Sequence, residues 1–238
     1  MTRITVWNEG LHEVQSKEIA QVYPQGIHGA IASIFDKDAD VTVHTCTLSD
    51  PENGLPDDVL ENTDVLIWWG HIAQEQVPDA LARKVADRVL RGMGLIVLHS
   101  AHLAKPFVQL MGTTCALRWC HGARERVWVC NPAHPIAQGL PEYFEIEQEE
   151  MYGEYFDVPK PDDVVFLGWF NSGEVFRSGL VFNRGYGKVF YFQPGHEEYP
   201  VFYNENVRKV LHNAAHFLAP QKVLTKLPLS FNSPSLEA

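Results

Sequence analysis

Asp64-Val65-Leu66-Ile67-Trp68-Trp69 runs apolar on both faces, as a strand buried in the middle of a parallel sheet must. Pro78 then opens a helix to Arg91, with Leu81, Val85 and Val89 on one stripe. Proline suits a first helical turn, because the N–H it lacks would have no partner there. Gly92-Met93-Gly94 ends the helix, and Leu95-Ile96-Val97-Leu98 makes the next strand. Strand, crossover helix and strand in succession describe a right-handed parallel unit. Toward the N-terminus, Arg3–Trp7 and the β-branched Asp40–His44 read as two further strands. Between them a helix from Gly26 to Asp38 carries Ile27, Ala30, Ile31, Ile34 and Phe35 at helical spacing. Toward the C-terminus strands dominate: Val127–Cys130, Val164–Leu167, Val175–Phe182 and Lys188–Phe192, the last two joined by the hairpin-type Asn183–Gly187. A final helix from Asn204 to Leu218 shows Val207, Val210, Leu211, Ala214, Phe217 and Leu218 on one face.

These elements predict one α/β domain over residues 1–219, a doubly wound, flavodoxin-like and mostly parallel sheet with added strands in its second half. From Pro220 to Ala238 the prolines and mixed polar residues read as a tail, mobile or laid on a neighbouring subunit of a homo-oligomer.

A chain of 238 residues buries a large core without staples, roughly 70% of its unfolded surface disappearing on folding. No apolar stretch approaches the roughly 20 residues that span a bilayer. Residues 1–10 read as a strand rather than a signal peptide, so the expectation is a cytoplasmic protein with no membrane partner. The net charge of −11, without a basic cluster, excludes nucleic acid as a natural partner. Cys46, Cys115, Cys120 and Cys130 fit neither a metal pattern nor a disulfide framework and are expected to be free, mostly buried thiols.

Ligands in open α/β sheets bind outside the carboxyl ends of the strands. Four such ends deliver a histidine: Trp7-Asn8-Glu9-Gly10 with His12 beyond it, Trp68-Trp69-Gly70-His71, Leu98-His99-Ser100-Ala101-His102, and Phe192-Gln193-Pro194-Gly195-His196-Glu197. His71, His99, His102 and His196 form a ligand pool for one divalent metal, zinc first, since neutral imidazole is a common zinc ligand. His99 and His102, three apart, fall on one face of a helical turn. His28, His44, His121, His134, His212 and His216 carry no such signal and are read as ordinary surface or hydrogen-bonded residues. In Glu145–Met151 an extended backbone puts Ile146, Gln148 and Glu150 on one face and Glu147, Glu149 and Met151 on the other. One carboxylate drawn into the cleft serves as general acid or base, and Glu150 is the candidate, with Tyr152 as donor beside it. Trp7, Trp68 and Trp69 are either core or a platform for sugar rings. Arg177 either meets the substrate or pairs with a carboxylate.

Trp7-Asn8-Glu9, Trp68–His71, Leu98–His102, Glu149–Glu154 and Gly187–His196 together resemble the trehalose-utilisation, or ThuA-like, family, in consistent order from about Arg3 to Pro220. The resemblance implies a class I glutamine-amidotransferase-like fold. It also implies a role in disaccharide catabolism, on trehalose or a 3-keto derivative made by a partner oxidoreductase. Amidotransferases of that fold carry a nucleophilic Cys on the turn after a central strand, and His99 stands in its place here. The triad is therefore incomplete, although His196-Glu197 resembles its base-and-partner end. Ser100 is a candidate nucleophile outside any G-x-S-x-G frame.

The resulting expectation is a metal- or acid/base-assisted enzyme on a keto-disaccharide or related sugar. Catalysis falls to Glu150, Tyr152, His99 and His196, and substrate binding to Trp7, Asn8, Glu9, His12, Trp69 and Arg177. The alternatives are a non-catalytic sugar-binding or regulatory subunit, and an amidotransferase-like or serine hydrolase.

Overall fold

A computed structural model describes residues 1–235. Nine strands build one sheet: β1 (Thr2–Asn8), β2 (Val41–Thr47), β3 (Val65–Trp69), β4 (Gly94–Leu98), β5 (Arg118–Val129), β6 (Tyr143–Gly153), β7 (Asp163–Phe170), β8 (Val175–Arg184) and β9 (Gly187–Phe192). The helices are α1 (His12–Gln15), α2 (Lys17–Val22), α3 (Gly26–Ala32), α4 (Asp57–Glu61), α5 (Asp79–Arg91), α6 (Lys105–Met111) and α7 (Glu205–Leu218).

The strand order is β2-β1-β3-β4-β9-β8-β7-β5-β6. The first five in that order pair in parallel, from β2 through β1, β3 and β4 to β9. This is the flavodoxin-like order, with its switch point between β1 and β3. Beyond β9 the pairings with β8, β7, β5 and β6 are antiparallel.

Alternation along each strand sorts side chains into two cores, one per face. Leu66 and Trp68 of β3 join Trp7, Leu95, Val97 and Tyr191 under α5 and α6. Val65, Ile67 and Trp69 join Ile4, Val6, Ile96 and Phe192 under α3 and α7. The result is the three-layer arrangement that a parallel sheet buried on both faces requires.

Several boundaries differ from the sequence reading. The helix expected over 26–38 is α3 followed by a tight 3-10 turn at Ser33–Phe35. The strand expected at Val127–Cys130 begins nine residues earlier, because the charged stretch before it pairs with β6 and β7. There Arg124 and Arg126 both reach Glu145 across the ladder, so charge is satisfied within the sheet. All four cysteines are free, Cys46 and Cys115 buried, Cys120 and Cys130 exposed, so only half match the buried expectation. The start of the tail lies on its own chain: the Leu224 N–H donates to Arg91 O at 2.8 Å, and Arg91 reaches the Leu224 and Thr225 carbonyls. The last three residues of the expected tail, 236–238, lie outside the described residues. No helix among the described residues is long and apolar enough to cross a membrane.

Candidate active site

β4 ends at Leu98, and His99 takes a left-handed backbone (φ +52°) as the chain enters a 3-10 turn over His99–Leu103. A non-glycine residue there costs on the order of 1–3 kcal/mol, a strain that the surroundings must hold in place. They do so tightly. The His99 Nδ1–H donates to Gln193 O at 2.9 Å, and the ring stacks on Tyr152 at 4.9 Å. Gly195, at φ +152°, lets the loop after β9 approach. A Cβ on it would stand 3.2 Å from that of His99 and 2.9 Å from the Phe202 ring.

With Nδ1 engaged, His99 Nε2 faces Glu150 Oε2 at 3.2 Å, off the line of a good hydrogen bond. Burial opposes charge on the imidazole, but the Glu150 carboxylate and the neighbouring Glu149 and Glu197 outweigh it and carry its pKa up to about 9. Burial likewise penalises the Glu150 carboxylate, yet the facing imidazoles hold its pKa below the ordinary value. The two form an ion pair at neutral pH. Glu150, 3% exposed, turns its other oxygen toward His196 Nε2 at 4.0 Å and His121 Nδ1 at 3.6 Å.

His196 is fixed from the other side. Its Nδ1 accepts the Glu198 N–H at 3.2 Å, which puts the hydrogen of the neutral ring on Nε2, and that atom has no hydrogen-bond partner. Burial, together with the nearby His99 cation, pushes its pKa down to about 4. Glu149 beside Glu150 is wholly buried and accepts the N–H groups of Glu150, Gly195 and His196, tying β6 to the loop after β9. Tyr152 is buried, and burial raises its pKa well above the ordinary value, so it stays a donor.

A second group adjoins the first. His71 Nδ1 lies 3.1 Å from both oxygens of Glu197, and His12 Nδ1 lies 3.4 Å from Oε1. The two imidazoles stack with centroids 5.0 Å apart. Burial would raise the Glu197 pKa, but the hydrogen bond from His71 and the facing imidazoles of His196, His71 and His12 lower it to about 2.

The expected metal pool is therefore divided. His102 turns away, its Nδ1–H donating to Cys115 O at 2.7 Å and its ring set edge-on to Tyr152 and Phe156. The left-handed turn at His99 is why two histidines three apart diverge. Within ligand distance of one another stand His99 with Glu150 and His196, and His12 with His71 and Glu197.

The expected substrate residues sort differently too. Trp7 and Trp69 are buried, their indole N–H groups donating to Asn53 O and Gly195 O, so neither offers an open platform. Asn8 is spent on Gly10, Glu13 and His28. Glu9 accepts the backbone N–H groups of His71, Ile72 and Ala73 and so shapes the loop after β3. Arg177 forms a two-pronged ion pair with Glu154 and also binds Phe156 O, which selects the carboxylate-pairing alternative. Ser100 donates to Gly70 O, with no imidazole among its partners.

Sequence reasoning missed Glu149, His121 and Trp119 at this site. His121 carries no signal in the sequence, yet β5 brings it to the rim, its side chain 66% exposed, with the 57% exposed Trp119 edge-on to it at 5.2 Å. The exposed indole next to His121 is thus Trp119, whereas Trp7, Trp68 and Trp69 are buried.

Residues 3–218 match the ThuA family, described as trehalose utilisation. Similar solved structures include a ThuA-like protein from Parabacteroides merdae ATCC 43184, with 15% identity and a TM-score of 0.69 over 95% of this chain and 93% of that one. Another ThuA-like protein, from Bacteroides uniformis ATCC 8492, is 17% identical with a TM-score of 0.63, covering 90% and 89%. A cytoplasmic protein from Salmonella typhimurium LT2 is 13% identical with a TM-score of 0.58, covering 92% and 100%. At these identities the likeness is one of fold. No curated protein matches the chain.

Proposed function

This chain belongs to the ThuA family of trehalose utilisation, and from that premise we propose that it is an acid/base enzyme acting on a keto-disaccharide or related sugar. The observation that carries the reading is the Glu150 carboxylate. It is almost wholly buried, charged at neutral pH, and set among three imidazoles with one oxygen toward the rim.

In this reading Glu150 takes a proton from the carbon next to the sugar carbonyl. The C–H electron pair forms the new C=C bond, and the carbonyl π pair moves to oxygen. The His196 Nε2–H, a donor without an acceptor, is suited to that oxyanion, as preorganised donors are in such steps. His99 holds the Glu150 carboxylate in place, and Tyr152 packs on His99. Return of the proton to the former carbonyl carbon, while the hydroxyl on the deprotonated carbon passes its proton to the oxyanion, gives isomerisation. Re-forming the carbonyl while the C=C pair shifts to expel the glycosidic oxygen, which leaves with the proton that Glu150 had taken, gives elimination. A partner oxidoreductase would supply the keto group, and Trp119 at the rim offers an apolar ring face for the sugar. A divalent ion, zinc first, is proposed as an aid that polarises the sugar carbonyl or a hydroxyl.

The test is deuterium uptake at the carbon next to the carbonyl of a keto-disaccharide in D2O, followed by NMR. Wild type is expected to exchange, and Glu150→Gln to slow exchange by about 10²–10⁴-fold, the usual contribution of a positioned base. Trp119→Ala should raise KM and leave kcat nearly unchanged. Exchange that persists at the wild-type rate in Glu150→Gln would sink the reading. Sugar binding with no exchange would favour the non-catalytic binding subunit.

A further inference from the structure

We infer that His12, His71 and Glu197 form a site for one divalent transition-metal ion, with its open side toward the Glu150 cleft. Three separate loops, after β1, β3 and β9, bring two imidazole nitrogens and one carboxylate within ligand distance of each other. Both Nδ1 atoms face the same carboxylate, His71 at 3.1 Å and His12 at 3.4 Å. Two histidines and a carboxylate are a donor set for zinc, iron or cobalt that leaves coordination positions free.

The supporting shell favours a site over a chance ion pair. Glu9, itself buried, clamps the His71 loop through three backbone N–H groups. The same carboxylate stands 3.8 Å from His12 Nε2, an atom with no hydrogen-bond partner. A carboxylate behind the far nitrogen of a ligating histidine fixes the ring's tautomer and orientation. Glu197 is buried, whereas His12 and His71 keep 14% and 27% of their side chains open to solvent.

The neighbouring triad fits a metal less well. His196 accepts at Nδ1 from the Glu198 backbone, so the Nε2 facing Glu150 carries a hydrogen where a ligand needs a lone pair. His212 and His216 meet Asp38 at the surface, with 36% and 44% of their side chains exposed, so that cluster is more open to water than the one at His12 and His71. The His71 ring centroid lies 6.4 Å from that of His99 and 6.1 Å from that of His196, so an ion here would orient sugar oxygens beside Glu150. That role rests on the acid/base reading, whereas the binding does not.

Tag-free full-length protein, stripped with chelator, is titrated with Co2+ by visible absorption and with Zn2+ by calorimetry. One equivalent should bind. Glu197→Gln and His12→Ala should each weaken binding beyond the roughly 10–100-fold caused by losing a supporting residue. Glu150→Gln and Asp38→Asn should bind as wild type does. His12 opens the short helix α1 and is partly exposed, so its variant is expected to fold, and a melting curve checks this. No binding by the wild type, or binding that survives in both Glu197→Gln and His12→Ala, overturns the site. So does loss of binding in Glu150→Gln or Asp38→Asn, which moves the ion elsewhere. Metal titration reads no turnover, so normal binding beside absent deuterium exchange would remove the acid/base reading alone.

Discussion

Glu125 is wholly buried on β5, with one oxygen accepting from Ser178 Oγ at 2.8 Å and the other without a partner. Burial first, then the nearby Glu149, pushes its pKa from 4.5 up to about 8. The unfolded chain releases this proton near the ordinary value and the folded chain near about 8. Between those limits the native state binds more protons, so stability falls as pH rises, by up to roughly 1.4 kcal/mol per pH unit. Glu125→Gln keeps the shape and removes the titration. Its melting temperature should therefore change less between about pH 5 and about pH 8 than that of the wild type. Parallel melting profiles for the two proteins would contradict the assignment. At this scale the sequence told only part of the story. The strand-end histidines were legible because parallel topology sends them to one edge, and Glu150 was legible only as one candidate within an acidic extended run. Glu125 and Arg177 were not, since burial and pairing depend on what lies across the sheet.

Helix α7 is held at its start by Asn204, whose Oδ1 accepts the N–H groups of Asn206 and Val207 at 2.9 and 3.3 Å. Its Nδ2 also donates to Glu145 O on β6 at 3.3 Å. Losing a side-chain cap costs about 1 kcal/mol, because helix-end donors are left without partners. Asn204→Ala should therefore lose about 1 kcal/mol in a urea melt, and Asn204→Asp, which keeps the cap, less. Equal losses would shift the contribution to the link with β6. This helix was readable from periodicity. Strand β6 was readable as extended but not in register. Period-two alternation separates Glu149 from Glu150, yet the β5–β6 pairing slips between Ala123 and Glu125. Both carboxylates are buried in succession beside it. Irregularities of this kind re-aim side chains and leave no trace in hydrophobic periodicity. The left-handed turn that parts His99 from His102 is equally silent in the sequence.

Across the whole molecule, the two halves of the sheet meet at β9, the last strand made and the one beside β4 at the centre. Parallel and antiparallel halves were both legible from the chain, the first through strand and helix alternation, the second through successive strands. Their seam was not, because nothing local says that a late strand inserts next to β4. Yet the candidate site depends on it: His12, His71 and His99 come from the early strands, Glu150 from β6, and His196 and Glu197 from the loop after β9. Both cores depend on it as well, since Val189 and Tyr191 pack into one and Phe190 and Phe192 into the other. A chain ending at Asn183 would leave β4 as an unpaired edge and strip α7 from one face. Such a chain should keep much of its far-UV signal, lose its near-UV signal, and show no cooperative melt. A sharp melting transition in that fragment would mean that the early strands close a core by themselves. The site would then be an addition to an independent unit rather than a product of the seam.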